Sequence, residues 1–329
     1  MQGAAYNECH GSTEPGSNCE GGEDTLTAFR QVEKKYKLYR YDRRASRHMN
    51  VPETDFSDVV DFRDVDRNTE RNLSMISSED RHEEGRVVKC WTFSGAPGVT
   101  FLPNFLTEEE QQQLCRAAIL EYGDSGLHPN HLSTHAKEPR ETTRYEPPMR
   151  WATVGFSYQW SSKSYSREKY SYFPQRLRDC VERITRLCGT SVPYEPQTSI
   201  VNYFPVGAMM MAHQDVSEEM LEQPLISMSL GCPCVFLMGT ESRHDAPHAF
   251  WLRSGDVIVV TGASRTAYHG VPRVVDECPS YLAPKGSGEE EPSEDDDLYW
   301  RKHMLHMRIN INVRQVYPES CSFLFEGNV

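Results

Sequence analysis

The stretch from Ile200 to Arg314 constrains the fold more than any other part of the chain. It carries short runs, IVNYF, ISMSL, CVFLMG, AFWL, DVIVV and ININ, separated by Gly, Pro, Ser and Asp. Runs this short, rich in β-branched and aromatic residues and bounded by turn formers, read as strands. Many strands at such spacing build an antiparallel sandwich or jelly roll. The Cys232-Pro233-Cys234 tripeptide opens one of these apolar runs, so its thiols read as buried strand residues rather than a redox pair. Residues 276–297 interrupt the strands with a polar, acidic insertion expected to be disordered.

Helices precede and flank this core. Thr107 with Glu110 forms a capping box, and Leu114, Ala117 and Ala118 continue a helix to Tyr122. A second amphipathic helix spans Leu177 to Cys188, and residues 123–149 read as a long loop. Near the N-terminus, Leu26, Phe29, Val32, Tyr36 and Tyr39 recur at three- and four-residue intervals, the apolar stripe of a docked helix. The domain plan is therefore a disordered acidic tail over 1–24, a helical extension with a linker over 25–89, and a β domain over 90–329.

Net charge is −13, which argues against a polyanionic partner until its distribution is considered. Residues 1–24 hold five acids and no Lys or Arg, and residues 283–297 hold seven acids against Lys285. Those two tracts account for −11, leaving the rest near −2. Between Ala28 and Asn50, eight Lys and Arg face two acids. Arg30, Lys34, Lys35 and Lys37 thus form a basic helix face, either the solvated face of an ordinary docking helix or a positively charged rail for phosphates. No run approaches the ~18 apolar residues of a membrane span. The acidic start does not suit a secretory signal, and the ten cysteines form no CxxC pair, so an intracellular protein with reduced thiols is expected, in the nucleus, the cytoplasm or the mitochondrion.

His213-Gln214-Asp215 places an imidazole and a carboxylate on one side of a strand or its end. A further His would complete a facial triad of two His and one carboxylate, the arrangement that suits Fe(II) and leaves positions open. His244, His248, His269, His303 and His306 are the candidates, and His269 is favoured because it follows the strongest strand after a short turn. At the C-terminal end, Arg308, Asn310, Asn312 and Arg314 alternate with Ile309, Ile311 and Val313. Two inward-facing Arg need anionic partners, because a buried unpaired charge is costly, and a dicarboxylate supplies two.

With these segments the chain resembles the AlkB family of Fe(II)/2-oxoglutarate dioxygenases, closest to its homologue 1 branch. The carriers are the H-Q-D motif, the run from Ser254 to His269, Arg308 to Arg314, the segment from Arg150 to Phe156 with Tyr158 and Trp160, and the basic helix. The resemblance covers roughly residues 25–48 and 97–317. It implies an α+β architecture with a double-stranded β-helix (jelly roll) core, flanking helices and an N-terminal helical extension.

The resemblance also implies roles. His213, Asp215 and His269 would hold Fe(II); Arg308 would take the distal carboxylate of 2-oxoglutarate; Arg314, with Asn202 and Asn310, would lie near its other end. The family usually has Tyr where this chain has Phe204, a lost hydrogen bond worth about 0.5–1.5 kcal/mol. Ser217 stands where the bacterial enzyme has an acid near the base. The implied reaction is oxidative demethylation by a monomer, consuming O2 and releasing formaldehyde, succinate and CO2. The expected substrate is 1-methyladenine in tRNA stem-loops, with methylated DNA bases including 6-methyladenine, or protein side chains, as alternatives. Tyr158 and Trp160 are the candidates for stacking the base, and Arg30, Lys34, Lys35 and Lys37 for binding the nucleic-acid backbone.

Overall fold

Two antiparallel sheets enclose a shared apolar centre in the computed structural model, which describes residues 26–42, 47–50, 54–123, 150–189, 194–284 and 295–318. In chain order the first strands are β1 (Tyr39–Asp42), β2 (Arg47–Asn50), β3 (Ile76–Glu83), β4 (Arg86–Phe93), β5 (Val99–Leu102), β6 (Trp151–Gln159), β7 (Ser164–Tyr170) and β8 (Thr198–Pro205). There follow β9 (Met210–His213), β10 (Leu225–Gly231), β11 (Cys234–Met238), β12 (His248–Leu252), β13 (Val257–Val260), β14 (His269–Val274) and β15 (Met307–Arg314). The large sheet runs β3-β4-β5-β13-β10-β15-β8-β6-β7 and the small one β12-β11-β14-β9; β1 and β2 pair only with each other. This is the expected jelly roll.

Alternation decides what each face touches. On β15, Ile309, Ile311 and Val313 join the core under the helices α3 (Glu108–Ala117), α4 (Gln175–Cys188) and α5 (Asp295–Met304). The polar residues between them face the small sheet. On β11, Cys234, Phe236 and Met238 point into the space between the sheets, whereas Val235 and Leu237 point outward. Onto that outer face packs α1 (Ala28–Tyr36), through Phe29 and Tyr36. Burying a side chain such as Phe29 stabilises by about 1.5–3 kcal/mol, against about 0–1 for an exposed ion pair such as Lys35–Asp58. The helix is therefore held by its apolar stripe. Leu26 and Tyr39, expected in that stripe, are instead largely exposed.

Several boundaries differ from the sequence expectations. The hairpin β3–β4 runs through residue 89, so residues from 76 belong to the large sheet rather than to a linker. Sequence periodicity missed it because β3, ISSEDRHE, is a polar edge strand with little apolar alternation. The linker itself, which carries the short helix α2 (Glu70–Leu73), touches the small sheet, where Val60 bridges Phe250 on the edge strand β12. Thr107 and Glu110 form the expected capping box, and α3 ends in a π-helical turn over Ala118–Tyr122. The insertion over 276–297 has ordered ends: Leu282 is buried at one side and α5 starts at Asp295 on the other. The tail 1–24, the expected loop from 124 to 149 and the insertion's centre at 285–294 lie outside the described residues. Among the described residues, no helix is long and apolar enough to cross a membrane.

Candidate active site

The end of β9 and the start of β14 meet in antiparallel register, His213 directly opposite His269. Their ring centroids are 4.3 Å apart. The chain then turns so that Asp215 faces both: its Oδ1 lies 3.9 Å from His213 Nε2 and its Oδ2 3.6 Å from His269 Nε2. One ligand atom from each residue falls within 4.8 Å of the others. His213 Nδ1 lies 3.0 Å from the Met211 carbonyl and His269 Nδ1 3.1 Å from the Ala267 carbonyl. A carbonyl only accepts, so each Nδ1 carries the proton and each Nε2 presents its lone pair to the shared space. Solvent reaches about a third of the His213 side chain (35%), yet burial among neighbouring groups, and next the His269 imidazole, push its pKa down to about 4. The neutral imidazole is the ligating form.

The other candidate histidines are engaged elsewhere. His248 sits edge-on to Phe93, His303 packs on Tyr299, His306 pairs with Asp276, and His244 is exposed in a turn.

Behind the triad lies a buried ionic network. Arg314 Nη2 donates to Asp215 Oδ2 at 2.7 Å, and its Nη1 donates to Glu218 Oε1 at 2.7 Å and to the Tyr165 hydroxyl at 2.9 Å. Arg265 donates to Glu218 Oε2 at 3.1 Å and to the backbone carbonyl of Asp215 at 2.7 Å. Burial alone would raise the Asp215 carboxyl, but its neighbours, the Arg314 guanidinium foremost, outweigh it and hold it well below the usual carboxylate range. Two carboxylates and two guanidiniums cancel, which is how so many buried charges coexist. Arg314 was expected near the cosubstrate's other end; its Nη atoms bond Asp215, Glu218 and Tyr165, so it also holds the triad's carboxylate, and its Nε has no hydrogen-bond partner among the described residues.

Arg308 is different. It is 1% exposed, its Nη2 donates to Ser229 Oγ at 2.9 Å, and its Nε and Nη1 have no hydrogen-bond partner among the described residues. No acid pairs with it among the described residues. Along the same face of β15, Asn310 donates to Ser227 Oγ at 2.7 Å, and Asn202 stands opposite Asn310 in the ladder. Phe204 stands opposite Arg308 and packs into the apolar centre. A buried guanidinium with two unused donors, in a strip of Ser and Asn leading from the triad's network, is a fitting seat for a carboxylate. With the converging imidazoles and Asp215, these residues fit both an iron ion and a dicarboxylate.

An aromatic wall borders the triad. Trp151 is on the face of β6 that Asn202 shares, since the two are ladder partners. At Gly155 the backbone adopts φ +80°, and an added Cβ would lie 2.1 Å from the Gln197 carbonyl, so only glycine fits. Phe156 and Tyr158, two residues apart, share one face of β6, and the ladder to β7 shifts beyond Phe156, whose partner is Tyr170 while Ser157 faces Ser166. Trp160 packs 5.2 Å from Trp151 and 4.9 Å from Tyr158, and remains 41% exposed. Tyr158 hydroxyl lies 3.2 Å from Ser217 Oγ, two residues beyond Asp215. Met211 and Val216, on either side of the triad's first strand end, are half exposed.

Arg30, Lys34 and Lys35 of α1, with Lys37 just past its end, belong to the segment packed on the outer face of the small sheet. Arg30 pairs with Glu33 and Lys35 with Asp58, while Lys34 and Lys37 have no ion pair among the described residues. Burial, and next the Arg30 charge, lower the Lys37 pKa.

Sequence reasoning missed Glu218, Tyr165 and Glu33. Glu218 belongs to DVSEEM, which reads as a solvated acidic turn, although its side chain is fully buried. Only the need of two inward-facing Arg for anions pointed that way.

Residues 98–314 match the family model of the 2OG-Fe(II) oxygenase superfamily. The chain is 30% identical over 328 residues to the tRNA demethylase abh1 of Schizosaccharomyces pombe, covering 91% of this chain and 98% of that protein. It is 29% identical over 335 residues to the DNA N(6)-methyladenine demethylase ALKBH1A of Arabidopsis thaliana, covering 88% and 96%. To the human nucleic acid dioxygenase ALKBH1 it is 28% identical over 357 residues, covering 93% and 87%.

Proposed function

Because this chain belongs to the 2OG-Fe(II) oxygenase superfamily, and within it to the AlkB dioxygenases of the homologue 1 type, we propose that it oxidatively demethylates N-methylated nucleobases, foremost 1-methyladenine in tRNA stem-loops. The enzyme uses Fe(II), 2-oxoglutarate and O2, which when bound supply the oxidising power that converts an N-methyl group to formaldehyde while 2-oxoglutarate becomes succinate and CO2.

The protein's own part is placement. His213, Asp215 and His269 would hold iron on one side and leave the opposite side open. Arg314 holds Asp215 in its ligating orientation. Arg308 would fork onto the distal carboxylate of 2-oxoglutarate, with Asn202 and Asn310 along its length. The observation that favours a nucleobase is the wall of Trp151, Tyr158 and Trp160, solvent-open at Trp160 and tied through Tyr158 to Ser217 beside the triad. Flat aromatic faces suit a base taken out of its stack, and a base within a duplex cannot reach such a centre. Lys34 of α1 and Lys37 just past its end would meet phosphates.

The test is release of formaldehyde and succinate from a tRNA stem-loop carrying 1-methyladenine, with Fe(II), 2-oxoglutarate and ascorbate, and Asp215→Ala alongside. Stoichiometric products that vanish in the variant support the reading. Turnover on methylated single-stranded DNA but not on the stem-loop would move the substrate to DNA. Succinate formed without formaldehyde on any methylated nucleic acid would refute demethylation.

A further inference from the structure

We propose that Glu33, on the N-terminal helix, is a positioning residue that acts on the iron ligand His213 through a single peptide group. The inference rests on the reading of His213, Asp215 and His269 as the metal triad.

The strand β9 is four residues long, lies at the edge of the small sheet, and pairs with β14 at only two registered positions with an irregularity between them. Such a strand is weakly held by its own ladder. Its free edge is closed by α1. Glu33 Oε1 accepts a 2.7 Å hydrogen bond from the Ala212 N–H, and Arg243 donates to the Ala212 carbonyl at 3.2 Å. Arg243 is itself tied to the helix, its carbonyl accepting from Phe29 N–H at 3.1 Å.

The Ala212 N–H belongs to the same peptide group as the Met211 carbonyl, and that carbonyl accepts the His213 Nδ1 proton at 3.0 Å. The two groups point in opposite directions across a trans peptide. A continuous relay therefore runs from the Glu33 carboxylate to the Ala212 N–H, across the peptide to the Met211 carbonyl, and on to His213. A negative charge on the N–H side polarises the peptide and makes its carbonyl a better acceptor, which raises the donor strength of the imidazole's other nitrogen. The result is a carboxylate–histidine–metal chain with a peptide inserted in it. It also fixes the ring's tautomer and tilt.

His269 provides the internal contrast. Its Nδ1 proton goes to the Ala267 carbonyl, and the N–H of that peptide, Tyr268 N–H, donates to the neutral Thr240 carbonyl at 2.8 Å. Only the His213 relay ends in a charge. Glu33 is 1% exposed, and its other oxygen is held by Arg30 at 2.6 Å. A buried carboxylate carries a desolvation cost that helix docking through Phe29 and Tyr36 does not require, which is why its placement on the ligand strand points to a role there.

The experiment measures Mn(II) affinity by calorimetric titration of the whole chain, for the parent and for Glu33→Ala, Glu33→Gln and Tyr36→Phe. Loss of a group that orients a metal ligand typically costs about 10–100-fold in affinity. Glu33→Ala should weaken Mn(II) binding by roughly tenfold or more. Glu33→Gln, which keeps an acceptor but no charge, should fall between it and the parent. Tyr36→Phe removes the Tyr36–Asp58 hydrogen bond and with it part of the helix docking, and should leave Mn(II) affinity unchanged. The visible ligand-field spectrum of the Co(II) form should shift in Glu33→Gln and not in Tyr36→Phe. Parental affinity in Glu33→Gln overturns the proposal even if Glu33→Ala fails to fold. So does a Tyr36→Phe loss equal to that of Glu33→Gln, which would make the effect one of docking. A parent that binds no Mn(II) would refute the reading of the triad itself, and the inference with it.

Discussion

Replacing Arg308 by Met should separate cosubstrate binding from folding, with effects of opposite sign. The Arg308 guanidinium is buried and, among the described residues, makes one hydrogen bond, to Ser229, and leaves two nitrogens without a partner. Without a carboxylate, this is a buried charge lacking its counter-ion, so it destabilises the fold. Exchanging buried ionic groups for apolar side chains of similar volume is commonly neutral or stabilising by about 1–4 kcal/mol. The metal-free, ligand-free Arg308→Met protein should therefore match or exceed the parent in urea denaturation. For the bound state the sign reverses. Removing one partner of a buried charge pair costs about 3–5 kcal/mol. At about 1.4 kcal/mol per factor of ten, that weakens 2-oxoglutarate by about two to three and a half orders of magnitude. The assay is thermal denaturation with Mn(II) across a 2-oxoglutarate titration. At a concentration one hundred times its Kd, the ligand should stabilise the parent by about 2.7 kcal/mol, and at the same concentration it should leave Arg308→Met nearly unmoved. Affinity retained within fivefold in the variant would refute Arg308 as the carboxylate seat. A ligand-free variant destabilised by more than about 3 kcal/mol would refute the premise that the guanidinium lacks a structural partner.

Two further outcomes follow from the charges. His213 has a folded-state pKa of about 4, below the ordinary value near 6.5, so between those pH values the unfolded chain binds the extra proton. The metal-free protein should lose stability as pH falls from about 6.5 toward 4, modestly because the ring is partly solvated, and His213→Asn should flatten that stretch of a pH-dependent denaturation series. At α1 and its C-terminal end, Lys34→Ala with Lys37→Ala should weaken stem-loop binding and reduce the slope of log affinity against log salt by up to about 2, whereas Lys35→Ala, whose ammonium already faces Asp58, should change it less. Equal slopes for the two sets, measured by fluorescence anisotropy, would remove α1 from the binding surface.

The parts of this protein that the sequence revealed are those where a polar residue breaks an apolar pattern. His213, Asp215 and His269 stand at the ends of runs that could only be strands, and Arg308 to Arg314 alternate with three branched aliphatics, so their facing follows from the pleat alone. What stayed hidden depends on contacts distant in sequence. Tyr158 is tied to Ser217 beside the triad by a contact between segments 59 residues apart, which no local periodicity records. Glu218 reads as one acid among several until Arg265 and Arg314 close on it from two other segments. The basic stripe of α1 was legible, but its sharing out was not: Arg30 and Lys35 each meet a carboxylate, one of them the buried Glu33. The helix that looks from its sequence like a phosphate rail is thus also the element that closes the free edge of β9. Any force a bound nucleic acid exerts on α1 is delivered one residue from His213.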